Sequence, residues 1–434
     1  MLEYSEEWDL GEHGMQGKSF LIVAASIGSG HVKAAEAVAD ELKIKYPDAS
    51  IRIVDFTMWS VSWATAFMKT SYLAMLHFVP NLYEFLYKFT GGRAGGISVQ
   101  SLISAITQFD IAALVKKYQP DVVICTHPFP AGATSWLKKR RPKEFLFSTV
   151  ITDYSVHQMW IYPNVDCYFV AREAMKTDLI AAGLPPEQIY VTGIPVAGTF
   201  HQEEDKPGIL QELGLTDTQP IVLIMGGGLG LGGVDFALLQ LEKMTMPLQI
   251  LVVAGKNAEL KARVEEMASH SRHTVEAWGY STKVREFMAV ATLLISKPGA
   301  LTISEALAAE LPMLLHEPIP GPETENAVYA ARRGTAVWLK SDAKLGEAIV
   351  DLLLHPERAE ELDGLRPEHC YTEAHRIILA QILAMLTAGQ PVDVITVAEA
   401  LESSGRSESS GGLVYLGQLA ANTPGSPHTE APIS

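Results

Sequence analysis

Cysteine is scarce in this chain: Cys125, Cys167 and Cys370 are its three, far apart and in no close pair. That spacing excludes a disulfide framework and a cysteine-built zinc site, and it suits a reducing compartment. A long apolar run is missing as well. The longest uncharged stretches, Phe56 to Met68 and Thr70 to Tyr83, fall short of the roughly 18 apolar residues that a spanning helix needs. The chain opens with Glu3, Glu6, Glu7 and Asp9 rather than with positive charge and then an apolar segment, so no export signal is expected. Basic residues are in deficit, 34 against 50 acidic ones, for a formal net charge of −16. That balance disfavours nonspecific nucleic-acid binding, and no nucleic-acid partner is expected. Charged residues are only 19% of a chain that is 48% apolar, which excludes disorder throughout and fits a globular protein with an adhesive surface somewhere.

A length of 434 residues suits two domains, each large enough for its own core. Ser19 to Ala25 reads as a buried parallel strand feeding a Gly-rich turn, followed by a helix through Ala34, Ala35 and Val38 and a strand from Ile51 to Phe56. Asp121 to Cys125, Glu144 to Val150 and Cys167 to Val170 continue the βα rhythm. The rhythm pauses near Gly193-Ile194-Pro195 and restarts at Ile221 to Met225, which places a link near residues 195–215. Gln249 to Ala254, Leu293 to Ser296, Met313 to Leu315 and Ala336 to Leu339 are further strands. The expectation is an α/β chain of two Rossmann-like domains, 18–198 and 199–370, facing across a cleft. An apolar helix over 371–390 packs back on the body, and residues 400–434, rich in Ser, Gly, Pro and Thr, form a disordered tail.

The candidate chemistry lies at strand ends. Gly28 and Gly30 permit a tight turn into a helix whose first amides can hold an anion. Lys33 stands where a dinucleotide fingerprint needs its third glycine, which argues against NAD. His31 projects from this loop, and its near-neutral reference pKa suits taking a proton from a hydroxyl nucleophile; the bland alternative is a helix-start cap. Asp153, Tyr154, His157 and Trp160 follow the strand ending at Ile151. There Asp153 can orient an imidazole or accept a hydroxyl, and Trp160 can wall the opening, unless the segment is only a packed loop with an Asx turn. His127 before Pro128 is a third candidate, or part of the turn itself.

In the second half, Gly226, Gly227 and Gly228 after a strand cost folding entropy and supply no packing, which close passage of a diphosphate would explain. Ser296, Lys297, Gly299, Ala300, Leu301 and Thr302 read as a strand end, a turn and a helix start fit for phosphate, with Glu305 one turn inside and able to bridge ribose hydroxyls. Gly321, Glu323 and Asn326 lie in a stretch of closely spaced acceptors that could measure a hexose, or in a solvated Pro-rich loop.

In their order along the chain these motifs resemble the glycosyltransferase family of monogalactosyldiacylglycerol synthases, bacterial processive diacylglycerol glucosyltransferases and, more distantly, the peptidoglycan lipid-intermediate N-acetylglucosaminyltransferase. Gly28-Ser29-Gly30-His31, Thr152-Asp153-Tyr154 with His157 and Trp160, Gly193-Ile194-Pro195, Ser296 to Glu305, and Pro320-Gly321 with Glu323 and Asn326 carry the resemblance over residues 18–385. It implies a glycosyltransferase B-type fold, an acceptor lipid bound by the first domain and a UDP-sugar bound mainly by the second. Inverting attack of a diacylglycerol hydroxyl on the anomeric carbon follows, with no tightly bound cofactor and no obligatory metal. His31 then matches the cleft-facing loop histidine, Asp153 the base or its partner, Glu305 the ribose acid, and Glu323 with Asn326 the sugar motif. Pro322 replaces the Gln that related bacterial sequences commonly carry, which leaves UDP-galactose and UDP-glucose both open as donors. The alternatives are another nucleotide-sugar enzyme such as a UDP-sugar epimerase, and a catalytically silent nucleotide-binding protein.

Residues 59–90 hold more aromatic and aliphatic surface than a Rossmann-like connection needs. Trp63, Phe67, Leu73 and Phe85 are candidate membrane contacts, beside the basic run Lys138, Lys139, Arg140, Arg141 and Lys143. That combination suits peripheral attachment to anionic lipid on the cytoplasmic side of a membrane; burial in the core or in a homo-oligomer is the competing use.

Overall fold

The computed structural model describes residues 17–26, 29–59, 90–91, 93–201, 204–228, 230, 233–319, 321–339, 345–354, 381, 385, 394–404 and 406–407. The chain divides into two compact units, Met1–Glu360 and Glu361–Ser434. In the first unit the strands form two six-stranded parallel sheets. One holds β1 (Ser19–Ala24), β2 (Ser50–Asp55), β3 (Val122–Cys125), β4 (Leu146–Val150), β5 (Cys167–Val170) and β6 (Ile189–Val191) in the order β2-β1-β3-β4-β5-β6. The other holds β7 (Ile221–Met225), β8 (Gln249–Val253), β9 (Thr274–Trp278), β10 (Leu293–Ser296), β11 (Met313–Leu315) and β12 (Ala336–Trp338) in the order β12-β11-β10-β7-β8-β9.

The apolar runs are continuous because the central strands are covered on both faces. In β1, Leu21 and Val23 join Phe147 and Tyr168 in one core, while Phe20, Ile22 and Ala24 meet Ala35 and Ala39 of the helix Gly30–Lys45 on the other side. In the second sheet, Val222 and Ile224 face Leu238 and Val264, whereas Leu223 and Met225 face Ile303 and Ala306. Two strands escape the sequence reading. β6 has three residues, and β9 carries exposed Thr274 and Glu276, so neither presents a buried apolar run.

Strand order adds what periodicity cannot supply. Each sheet reverses direction once, between β1 and β3 in the first and between β7 and β10 in the second. At such a reversal the loops leaving adjacent strands diverge and open a crevice at the carboxyl edge, where α/β sheets place ligands. His31 follows β1 and His127 follows β3; Gly226–Gly228 follow β7, and Lys297–Gly299 follow β10, which ends at Ser296. Both crevices abut: a Cβ on Gly228 would lie 2.7 Å from Ser29 Oγ, and one on Gly30 would lie 3.6 Å from Leu301 Cβ. Between the sheets the chain forms a 3-10 turn, Gly198–His201, and the helix Lys206–Leu213, which Asp205 caps through the Gly208 N–H and Gly214 ends at φ +66°.

Gly28, Trp63, Phe67, Leu73 and Phe85 lie outside the described residues, as do all of the 371–390 segment except residues 381 and 385 and the chain beyond residue 407. The expected tail needs one correction. Val394–Ser403 is a helix with Val397 and Leu401, four residues apart, buried on one face, so residues 400–403 are ordered by that apolar stripe. Among the described residues no helix is long and apolar enough to cross a membrane.

Candidate active site

His31 stands at the start of the helix Gly30–Lys45, whose N-cap Ser29 makes no side-chain cap bond and whose first turn has no acid. The imidazole is not the cap. Its Nδ1 lies 2.8 Å from the Thr126 carbonyl and 2.7 Å from Thr152 Oγ1. A carbonyl only accepts, so Nδ1 carries the proton and Nε2 holds the lone pair. His127 packs edge-on at 4.5 Å between ring centroids, and Trp160 lies at 6.5 Å. Burial lowers the His31 pKa to about 4, against the raising effect of the Thr126 carbonyl, so the ring is neutral near pH 7 and able to take a proton.

The loop Thr152-Asp153-Tyr154 clasps the second half. The Tyr154 N–H donates to Asn326 Oδ1 at 3.0 Å, its hydroxyl meets Ser304 Oγ at 2.8 Å, and its ring stacks on Tyr329 with centroids 4.1 Å apart. Arg172 Nε donates to the Tyr154 carbonyl at 2.7 Å and places its guanidinium over the Tyr329 ring. Asn326 Nδ2 donates to the Pro298 carbonyl at 3.3 Å, tying the helix Pro322–Arg332 to the β10 turn. Asp153 sits inside this joint. Burial pushes its carboxyl up to about 7; bonds from Asn326 and Trp160 oppose that, and the charge of Glu323 adds to it.

On the second side, the helix Ala300–Ala308 starts at Gly299 without a side-chain cap, leaving its first amides open to an anion. Lys297 Nζ pairs with Glu323 Oε1, and Glu323 Oε2 accepts the Ile319 N–H at 2.9 Å. Gly227, at φ +65°, passes so close that a Cβ would stand 3.1 Å from Lys297 Cε. Glu305 lies on the face of its helix toward the first half. Burial pushes its carboxyl up to about 7, and Lys33 from across the crevice pulls it down. The starts of two uncapped helices therefore lie beside a neutral imidazole, with Lys33 paired to Glu36 and Lys297 to Glu323.

Several candidates have structural partners of their own. His127 caps the helix Pro128–Arg140 by accepting the Phe129 N–H at 3.2 Å, which is its role as part of the turn. Trp160 is buried in one core with Val23 and Tyr168, its ring facing that of His31. Tyr154 and Asn326 are buried by the clasp, and both amide ends of Asn326 are engaged there rather than facing open space. His157 accepts the Met159 N–H at 3.2 Å as the cap of a short 3-10 turn. Ser296 spends its hydroxyl on the Met225 carbonyl. Gly226 is buried at the end of β7, and Gly228 is required by the approach of Ser29. Gly321 supplies φ +103° at the start of the helix Pro322–Arg332. Ala300, Leu301 and Thr302 are the first turn of their helix. The basic run loses a member: Lys138 turns inward to Asp166 at 2.8 Å and to the Phe145 carbonyl, because its stem packs in the core while Lys139, Arg140, Arg141 and Lys143 stay exposed. Thr126, Arg172, Ser304 and Tyr329 carry no signal in the sequence, since each meets its partner 18 or more positions away. Lys33, visible only as a failed glycine position, is a charge facing Glu305.

The model for monogalactosyldiacylglycerol (MGDG) synthase matches residues 31–196, and that for the glycosyltransferase family 28 C-terminal domain matches residues 221–364. A third model, the DnaB-like helicase N terminal domain, matches residues 347–433, which composition did not anticipate. A processive diacylglycerol beta-glucosyltransferase of Bacillus cereus (strain B4264) is 32% identical over 325 residues, 75% of this chain and 83% of that protein. One from Bacillus licheniformis is 28% identical over 370 residues, 84% of this chain and 94% of the relative. Among solved structures, Acinetobacter baumannii MurG superposes with a TM-score of 0.48 at 17% identity, covering 85% of this chain and 100% of that one.

Proposed function

Because this chain belongs to the glycosyltransferase family of the monogalactosyldiacylglycerol synthases and the processive diacylglycerol beta-glucosyltransferases, we propose that it moves a hexose from a UDP-sugar to the hydroxyl of diacylglycerol. The acceptor hydroxyl oxygen bonds to the anomeric carbon from the face opposite the leaving group, and the configuration inverts. The bond from that carbon to the diphosphate oxygen breaks with its electron pair going to UDP. The hydroxyl proton passes to His31 Nε2 as the new bond forms.

One observation carries this reading: the neutral His31, held in its proton-accepting tautomer by the Thr126 carbonyl, stands where two uncapped helix starts meet. A weakly basic imidazole suffices because the attacking hydroxyl becomes strongly acidic only as its bond to carbon forms. The helix amides and Lys297 meet the charge that develops on the diphosphate, so the reaction has no obligatory need of a metal. Glu305 takes the ribose hydroxyls and Glu323 the hexose. Asp153 is a positioning residue: its neighbour Thr152 holds His31, and its own carboxylate joins Trp160 behind the imidazole to Asn326 of the donor half. An epimerase acts on the sugar ring with no second substrate, whereas the family match over residues 31–196 concerns the half that would hold the acceptor. The enzyme works as a peripheral protein on the cytoplasmic face of a membrane. It attaches there through residues 59–90 and the exposed Lys139, Arg140, Arg141 and Lys143, which favour anionic lipid.

The test is His31→Ala. Transfer into diacylglycerol should fall about 10²-fold or more, with UDP affinity retained. Near-wild-type turnover in the folded variant removes His31 from the reaction, and an equal loss of UDP affinity moves it to the donor side.

A further inference from the structure

Lys297 and Glu323 form an ion pair whose side chains are only 14% and 12% exposed. It is not a rim contact. A Cβ on Gly299 would lie 3.6 Å from Lys297 Nζ and 3.9 Å from Glu323 Oε1, and the Gly227 turn crosses the Lys297 stem. Cation, carboxylate, the turn after β7 and the uncapped start of the helix Ala300–Ala308 thus share one small space. A pair this sheltered gains little net stability, because desolvation of both charges offsets their attraction. Fold stability alone gives it little reason to exist.

We infer that Glu323 is an internal stand-in for the donor diphosphate, occupying Lys297 until the donor displaces it; this rests on the reading of the second half as a UDP-sugar site. When the diphosphate settles against the Ala300–Ala308 helix start, Lys297 turns from Glu323 Oε1 to a phosphate oxygen. Glu323 keeps the Ile319 N–H on Oε2 and presents the freed Oε1 to the hexose hydroxyls. Hexose recognition is thereby conditional on diphosphate binding. After transfer the same carboxylate, without a hexose to bind, is left beside a more negative UDP. It then competes for Lys297 and favours release of the product. Glu323 is a specificity-determining residue that acts on the diphosphate through Lys297 and on the hexose directly.

This exchange makes an unusual demand on Glu323→Gln. A residue that only touches the hexose leaves UDP affinity unchanged when neutralised. A competitor for Lys297 makes UDP bind more tightly when it is neutralised. Calorimetric titration of the full chain with UDP, uridine, UDP-glucose and UDP-galactose, for wild type, Glu323→Gln, Lys297→Gln and the double variant, separates the two. Glu323→Gln should bind UDP about 10-fold more tightly, the scale of one charge-assisted contact released from competition. Uridine, which has no phosphate, should bind as before, and the advantage of either UDP-hexose over UDP should shrink. In the Lys297→Gln background the gain should vanish. Glu323→Ala serves as the second neutral variant if the Gln form does not fold, and it carries the same expectation. UDP affinity unchanged or weakened in the neutral variants, or a gain that survives loss of Lys297, overturns the exchange. Failure of the wild type to bind UDP at all overturns the donor assignment itself, and the exchange falls with it.

Discussion

Asp153→Asn should stabilise this protein at neutral pH, although it removes a charged group with named partners. The carboxyl ordinarily titrates at 3.8 and is pushed up to about 7 where the clasp buries it. The folded state therefore binds the proton more tightly than the unfolded chain between pH 4 and 7, and stability is lost as pH rises through that window. A rise of about three units corresponds to about 4 kcal/mol at pH 8, whereas at pH 5 little more than one unit of the rise has been charged, about 2 kcal/mol. Asn retains an acceptor for Trp160 or Asn326 and carries no charge. The variant should gain about 2–3 kcal/mol more over wild type at pH 8 than at pH 5. Urea unfolding of both proteins at the two pH values measures this difference directly. Glu305, raised to about 7 by burial, leaves a residual slope of the same sign in the variant. An Asn substitution equally stabilising, or equally destabilising, at pH 5 and pH 8 would refute the argument, since it would mean the carboxylate pays no ionisation penalty in the fold.

Other expectations follow from the same geometry. With His31 lowered to about 4, its proton-accepting form persists from about pH 5 upward, so His31 itself should contribute no limb near the reference histidine pKa, 6.5, to a kcat profile in which Asp153 and Glu305 titrate near 7; a limb near 6.5 that disappears in His31→Gln would contradict the burial assigned to this ring. Tyr154→Phe removes the Ser304 bond while keeping the Tyr329 stack. It should cost about 1 kcal/mol of stability and lower kcat more than UDP affinity, and an unchanged kcat would mean that the clasp does not set the position of the His31 loop. Changing Trp63, Phe67 and Leu73 together to Ser should reduce sedimentation with anionic vesicles while preserving UDP affinity and the thermal transition; unchanged sedimentation with a collapsed transition would make the segment core.

Most strands were legible because burial on both faces of a parallel sheet enforces continuous apolar runs, as at Leu21 to Val23 and Ile221 to Met225. β9 was not, because an edge strand tolerates Thr274 and Glu276 on its open face. What the sequence could mark was a set of candidate strand-end loops around His31, Asp153, Glu305 and Glu323. The roles inside that set were not legible. Sequence cannot tell a histidine that caps a helix, as His127 does, from one whose ring is fixed by a distant carbonyl, as His31 is by Thr126. Nor can it show that Asn326 faces Tyr154, because the contact spans 172 positions and depends on how the two sheets meet. The glycines after β7 illustrate the same limit: Gly228 is as much explained by Ser29 of the other half as by any ligand. At the far end, Ser, Gly and Pro content set the tail's start at residue 400, a few residues early, because Val397 and Leu401 form a buried stripe that carries the helix to Ser403.

Transfer of a hexose to a lipid hydroxyl is measured by incorporation of labelled sugar from UDP-glucose and, separately, UDP-galactose into diacylglycerol presented in anionic vesicles. Label should appear in a glycosyldiacylglycerol of inverted anomeric configuration from at least one donor, with UDP released in equal amount and the signal falling about 10²-fold or more in His31→Ala. Interconversion of the UDP-sugars without lipid labelling, or UDP binding with no turnover of either donor, would contradict the proposed transfer.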